Sequence, residues 1–361
     1  GRDVQVPAGA RTIDARGKVV TPGLIHSSSI LGLLEVGSVE ETSERSSEGE
    51  VTASFDVAEG IDPRSVRIPV ARSGGVTSAL AVPEGGIFSG QAALIALSGD
   101  RMEAMLRVRD AAMAGNFAGA LKQAGGGSHA AGLAKVRRIL EDARDYDRRR
   151  GDYQRNDMQE LSVPASELEA LLPVLRGAMP LYVVANAERD ILNAIRLAKE
   201  FQIRLIIRGG TEAWKVTKEL AEARVPVALD AYANIPDFEN LEVRWDNAAL
   251  LAEGGVEILL FEAGDGGPGN LRFAAGHAVR NGLPWEAALA AVTIAPARAF
   301  GAGETMGALA PGRTADLVVW SGDPFEFASR PEVILIGGEE PPRTSRQTEL
   351  LERYRVLPPA R

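Results

Sequence analysis

The sequence contains no cysteine and only three histidines in 361 residues. The first absence removes disulfides, thiolate metal ligands and a cysteine nucleophile together. The second leaves His26, His129 and His277 as the whole supply of imidazole for metal binding or acid–base work. Long apolar runs are missing too. "VVTPGLI" and "VEILLF" fall far short of the roughly 18–20 residues that cross a bilayer, so no membrane span is expected. Positive charge is in deficit, with a formal net charge of −9, whereas a nucleic-acid partner would call for a basic surface. A small polar ligand stays compatible with that balance. No Gly-x-Ser-x-Gly elbow occurs, so a nucleophilic triad has no support. Cysteine-free chains persist in the cytoplasm and the periplasm alike, which leaves the compartment open. Residue 1 opens no signal peptide. "GRDVQVPAGARTIDARGKVVTPG" instead reads as the late strands of a β unit whose first strands lie upstream, where a targeting segment has room.

What is present is ordinary for a soluble globular protein: 45% hydrophobic and 25% charged residues, enough for a substantial core. From residue 180 the pattern alternates. "PLYVVANA", "RLIIRGG", "VPVALD" and "VEILLFEAG" read as strands, and amphipathic stretches between them read as helices, the clearest over 188–201. Near-continuous apolar strands separated by helices predict a parallel sheet covered on both faces. "GGVTSALAVP" is one more strand, and 131–150 is a charged helix whose Arg148-Arg149-Arg150 run, flanked by aspartates, reads as a solvated end. Arg138–Asp142 and Asp145–Arg149 have the spacing of helix ion pairs. The last sixty residues change to short strands, "DLVVWSGDP" and "EVILIGG", divided by Gly and Pro turns. The expected organisation is a β/α barrel over 21–304, with a small β domain built from 1–20 and 305–361.

"GKVVTPGLI", "GGVTSALAVPEGG" and "AALAAVTIAPARAFGAGETMGALAPGRTADLVVWSGDP" resemble the amidohydrolase superfamily, nearest to the imidazolonepropionase-related branch. The resemblance runs over nearly the whole chain. It implies a distorted (β/α)8 TIM-like barrel plus a β-sandwich-like domain, with the site at the C-terminal ends of the barrel strands. It also implies one or two divalent metals that activate a water against an amide or related bond. The family's PGLID-x-H-x-H pattern places His26 at the Asp position, Ser28 at the first His and Ile30 at the second. The later ligand positions fall on Val184, Gly209 and Glu262. Only Glu262 keeps a good ligand atom, and a catalytic zinc wants about three. No cofactor is therefore expected, and zinc or another divalent metal would need a site rebuilt around His26, Glu262 and Asp230.

Those three are the candidate catalytic residues. Arg208, Asn186, Asp265 and Arg272 are the candidate substrate-binding ones. Plainer readings stand beside each: a salt-bridged ring for Asp230, Arg208 and Glu262, a polar replacement for His26, and a helix cap for the neighbouring Asn270. "VPEGGIFSGQ" lacks the lysine of a phosphate loop, so its glycines read as turns. "DFENLEVRWDN" reads as a polar loop or lid, its Trp245 as lid or packing. The expected function is a non-catalytic binding or partner subunit, either a homo-oligomer or a complex with an intact amidohydrolase homologue. The alternative is a hydrolase of carbon–nitrogen, non-peptide bonds, metal-free or with a relocated metal.

Overall fold

The computed structural model describes residues 8–155, 160–233, 235–236, 241–263 and 269–355. Regular structure begins with β1 (Val19–Pro22). One eight-stranded sheet then follows in chain order: β2 (Leu24–Ser29), β3 (Val76–Ala81), β4 (Gly90–Ala96), β5 (Leu106–Asn116), β6 (Leu181–Ala185), β7 (Leu205–Gly209), β8 (Val227–Asp230) and β9 (Ile258–Phe261). Neighbours are parallel except at β4, which runs antiparallel to both β3 and β5. The sheet curls into a nearly closed barrel, the expected fold with a distortion: β4 and β5, neither of them expected, replace one β/α crossover by an antiparallel excursion.

Period-two alternation decides which side chains fill the barrel. Ile25, Tyr182, Ile206, Ala228 and Leu259 belong to one interior cluster, with Phe300 and Met306 packed among them. Their odd-and-even partners, such as Leu181, Val183, Leu205 and Ile207, face the surrounding helices in the larger core. Two residues further along the strands, the same inward face carries Val184, Arg208, Asp230 and Phe261. The polar mouth is thus set by the phase of four apolar strands.

The seam between β2 and β9 is closed by side chains. Among the described residues no backbone ladder joins them; Ser27 Oγ donates to Leu260 O at 2.8 Å, and Tyr182 Oη donates to Ser27 O at 3.1 Å. The Ile25 N–H turns instead to Val292 O, at 2.7 Å.

Both chain ends meet in a second sheet, where β1 pairs antiparallel with β10 (Leu317–Trp320) and β10 with β11 (Pro331–Leu335). Trp320 anchors that sheet to the barrel. Its Nε1–H donates to Thr21 Oγ1 at 2.9 Å, and its ring lies where a Cβ on Gly75 would come within 2.3 Å. Gly75 has φ +86°, so glycine is required there twice over. The sheet includes Thr21 and Pro22, which the sequence reading assigned to the barrel, and the described chain continues into an exposed helix, Arg346–Tyr354. The helix over 188–201 runs Glu188–Phe201, and the charged one runs His129–Arg148. Its Arg138–Asp142 and Asp145–Arg149 pairs do not form: Asp142 accepts from the Ser162 N–H, Asp145 pairs with Arg148, and Arg149 pairs with Asp152.

Candidate functional site

The C-terminal ends of the strands open into two connected cavities. One, of about 610 Å³, is lined by Asn116, Val184, Asn186, Gly209, Thr211 and Asp230, among others; the second, of about 250 Å³, by His26, Ser28, Ile30, Arg67 and Glu262. Glu84, Arg208, Phe261 and Ala263 belong to both. Arg208 therefore marks the divide, with Nη2 3.6 Å from Glu84 Oε1 and its guanidinium 5.9 Å from the centre of the Phe261 ring.

His26 is 2% exposed. Backbone N–H groups approach both ring nitrogens, Ser28 N at 3.4 Å from Nδ1 and Glu262 N at 3.5 Å from Nε2. A neutral imidazole accepts at one nitrogen only, so the two contacts are alternatives selected by tautomer. Burial, reinforced by the Arg208 charge, lowers its pKa to about 4, which keeps the ring neutral at physiological pH.

The carboxylates at the next two strand ends behave differently. Asp230 accepts from the N–H groups of Tyr232 at 2.9 Å and Ala263 at 3.2 Å. Burial nonetheless raises its pKa, against those two hydrogen bonds. Glu262 is pushed up to about 7, first by burial and then by the Asp230 charge, with Arg67 opposing. Near neutral pH Glu262 is thus divided between its two protonation states.

The mouth also holds acceptors without partners. Asn186 Oδ1 and Thr211 Oγ1 are buried and make no hydrogen bond among the described residues, and Thr211 is 8% exposed. Gly209 makes room for the asparagine: it has φ +93°, and a Cβ there would lie 2.1 Å from Asn186 Oδ1. A histidine at Gly209 would collide with Asn186 and strain the backbone. The positions that the resemblance assigns to metal ligands thus hold a hydroxyl (Ser28), two aliphatic side chains (Ile30, Val184), a glycine wedged against Asn186, and a half-protonated Glu262. Among the described residues no three His, Asp or Glu side chains are grouped to hold a metal ion. This donor set does not fit a divalent metal.

His26, Glu262, Asp230, Arg208 and Asn186 are brought together at the mouth. Arg272 is not. It lies in the helix Leu271–Arg280, is buried, and donates from Nη1 to Pro324 O and Glu326 O, both at 2.9 Å, so it docks the segment after β10 onto the barrel. Asp265 lies outside the described residues. Asn270 occupies the N-cap of that helix but makes no side-chain capping bond. His277, on the helix Leu271–Arg280, packs against loops that follow the strands: its ring lies 5.1 Å from that of Tyr232 and 4.7 Å from that of Trp245. His129 is placed elsewhere, with Nε2 3.7 Å from Asp190 Oδ1. Glu84 and Thr211 were missed by the sequence reading. Glu84 lies in "VPEGGIFSGQ", whose Gly85 and Gly90 have positive φ as turns require; Thr211 follows Gly209-Gly210, and that close pair was the available signal.

Residues 187–343 match the amidohydrolase family. The chain is 24% identical over 375 residues to amidohydrolase tasK of Hapsidospora irregularis, an alignment that covers 92% of this chain and 37% of that protein. The chain thus spans little more than a third of that relative's length. An amidohydrolase structure from Thermotoga maritima MSB8 superposes with a TM-score of 0.85 at 29% identity, over 94% of this chain and 91% of that one. Molinate hydrolase shares the fold at 16% identity, with a TM-score of 0.55 over 95% of this chain and 87% of its own.

Proposed function

We propose that this member of the amidohydrolase family binds a small polar ligand at its barrel mouth without a catalytic metal, and serves as a non-catalytic binding subunit. One observation carries the reading: the mouth is an open cavity whose buried acceptors Asn186 Oδ1 and Thr211 Oγ1 make no hydrogen bond among the described residues, and the positions that the resemblance assigns to metal ligands hold Ser28, Ile30, Val184 and Gly209 beside Glu262. The ligand that suits it carries an anionic group for Arg208 and an N–H donor for Asn186 Oδ1, as an N-acyl or free amino acid does. The stretch 287–324 supports a place near the imidazolonepropionase-related branch. Assembly with itself or with an intact homologue is part of the same reading, since a chain without chemistry of its own acts through what it holds.

A second reading rests on Glu262. A carboxyl group with pKa about 7 beside Asp230 suits general acid–base catalysis, which would make the site a metal-free hydrolase of carbon–nitrogen bonds.

Metal analysis by mass spectrometry tests the first reading, on protein purified without chelator and again after zinc or manganese supplementation. Well under one equivalent in both is expected. About one equivalent per chain, the complement of a catalytic site, would overturn it. Calorimetric titration with N-acetyl amino acids then separates the two readings: saturable binding without turnover supports the binding subunit, and release of the free amino acid supports the hydrolase.

A further inference from the structure

A third cavity lies at the opposite end of the barrel, where the strands begin. It measures about 430 Å³ and is bounded by the residues that lead into β6, β7, β8 and β9, with Ile203, Leu205, Val225 and Pro226 supplying an apolar wall. Lys199, Arg204, Arg224 and Arg298 also line it, against one carboxylate, Glu257. In a chain of net charge −9 this is a local excess of cations. None of the four makes a hydrogen bond or ion pair to another described side chain, although the Arg298 charge acts on Glu257. Arginines elsewhere do pair, as Arg137 does with Glu200 and Arg176 with Asp147.

Backbone conformation points the same way. Among the described residues only Gln202 (φ 57°) and Arg224 (φ 54°) are non-glycine with positive φ. Both cap the C-termini of helices, Glu188–Phe201 and Thr217–Ala223, positions where glycine is the unstrained choice. A side chain there costs on the order of 1 kcal/mol. At Arg224 that strain places a guanidinium on the cavity.

We propose that this floor cavity binds an organic polyanion, a di- or polyphosphate carried on an apolar body such as a nucleoside base. The four cations take the phosphates and the aliphatic wall takes the body. The competing account is that Lys199, Arg224 and Arg298 merely offset helix dipoles at C-terminal ends. It does not extend to Arg204, which lies in no helix, and it makes a different prediction: substitution would lower stability and leave binding absent.

The test is calorimetric titration of the full chain with ADP and with inorganic pyrophosphate, in magnesium-free buffer at low salt. One-to-one binding is expected, tighter for ADP than for pyrophosphate. Arg224→Gly relieves the left-handed strain, so it should fold at least as well as the parent by thermal melting while weakening ADP binding about tenfold, the worth of one charge-assisted contact. Arg204→Gln should weaken it comparably. Arg208→Ala, at the mouth, and Arg353→Gln, on the exposed C-terminal helix, should leave it unchanged. No saturable binding up to about 1 mM, the weak limit for a small-ligand site, would overturn the proposal. So would unchanged affinity in the two floor variants, loss in Arg208→Ala, or equal affinity for ADP and pyrophosphate.

Discussion

The mouth and the floor of the barrel are opposite ends of the same strands, and they treat charge in opposite ways. At the mouth Arg208 faces Glu84, and Asp230 takes two backbone N–H groups. Glu212, next in sequence to the mouth residue Thr211, accepts from the N–H groups of Glu188 and Glu242 and from Lys215. At the floor four cations surround a single carboxylate. Charges that find partners inside the chain hold loops in place, and only what is left over is available to recognise something else. At the mouth the remainder is two neutral acceptors, Asn186 Oδ1 and Thr211 Oγ1, with Arg208 held only loosely by Glu84 at 3.6 Å; at the floor it is positive charge.

Substitutions can break or sharpen this contrast. The largest effect is expected for Gly209→Ala, which combines positive φ with collision against Asn186. A loss of roughly 2–4 kcal/mol by urea denaturation is expected; a loss below about 0.5 kcal/mol would mean that the asparagine yields.

Glu212→Gln comes next, at roughly 1.5–3 kcal/mol near neutral pH, the range for hydrogen bonds to a charged group. Burial alone would raise this carboxyl, but the Glu188 and Glu242 N–H groups and Lys215 bring it below its usual 4.5. Its folded pKa is depressed, so the stabilisation is complete above 4.5 and lost as pH falls through the folded value. The gap between parent and variant should close on acidification.

Glu262→Gln should act with the opposite sign. Here the folded pKa is raised from 4.5 to about 7, so the cost of ionising Glu262 is absent below 4.5, grows as pH rises from there to 7 and is complete above it. After allowance for its half-exposed position, the variant should be about 1 kcal/mol more stable than the parent at pH 8 and equal to it at pH 4.5. A pH-independent difference would remove the carboxylate pair from the description.

Arg208→Ala should change stability least, by about 0.5 kcal/mol or less, because a loose 3.6 Å pair with a part-exposed carboxylate contributes little. Its effect belongs in ligand affinity instead.

Much of this was legible in the residues. "LYVVA" and "RLIIRG" are short apolar runs bounded by helices, enough to give β6 and β7, and their register brings Arg208 beside Val184. The chain ends declared their pairing through "DLVVW". The antiparallel β4 and β5 stayed hidden because "QAALIA" and "LRVRDAAMAGN" are rich in alanine and interrupted by charge, a composition with low strand preference. Glu84 reached the mouth through the turns before that excursion, so it was missed as well. Arg272 misled by proximity: ten residues from Glu262 suggested a shared loop, but the chain turns into a helix and carries its guanidinium to the Pro324 carbonyl. His277 gave no positional signal. Its contacts with Tyr232 and Trp245 join three segments far apart in sequence, which no spacing rule connects.

The side-chain seam between β2 and β9 gives His26 a second employer. An ordinary barrel wall is stitched by main chain, indifferent to which residues it carries; here the join runs through Ser27 Oγ and the imidazole edge facing the Glu262 N–H. Selection on the wall can then preserve a histidine independently of any chemistry at the mouth. A buried imidazole at such a join is a rivet before it is a reagent, and its persistence among relatives would date the barrel's closure rather than its catalysis.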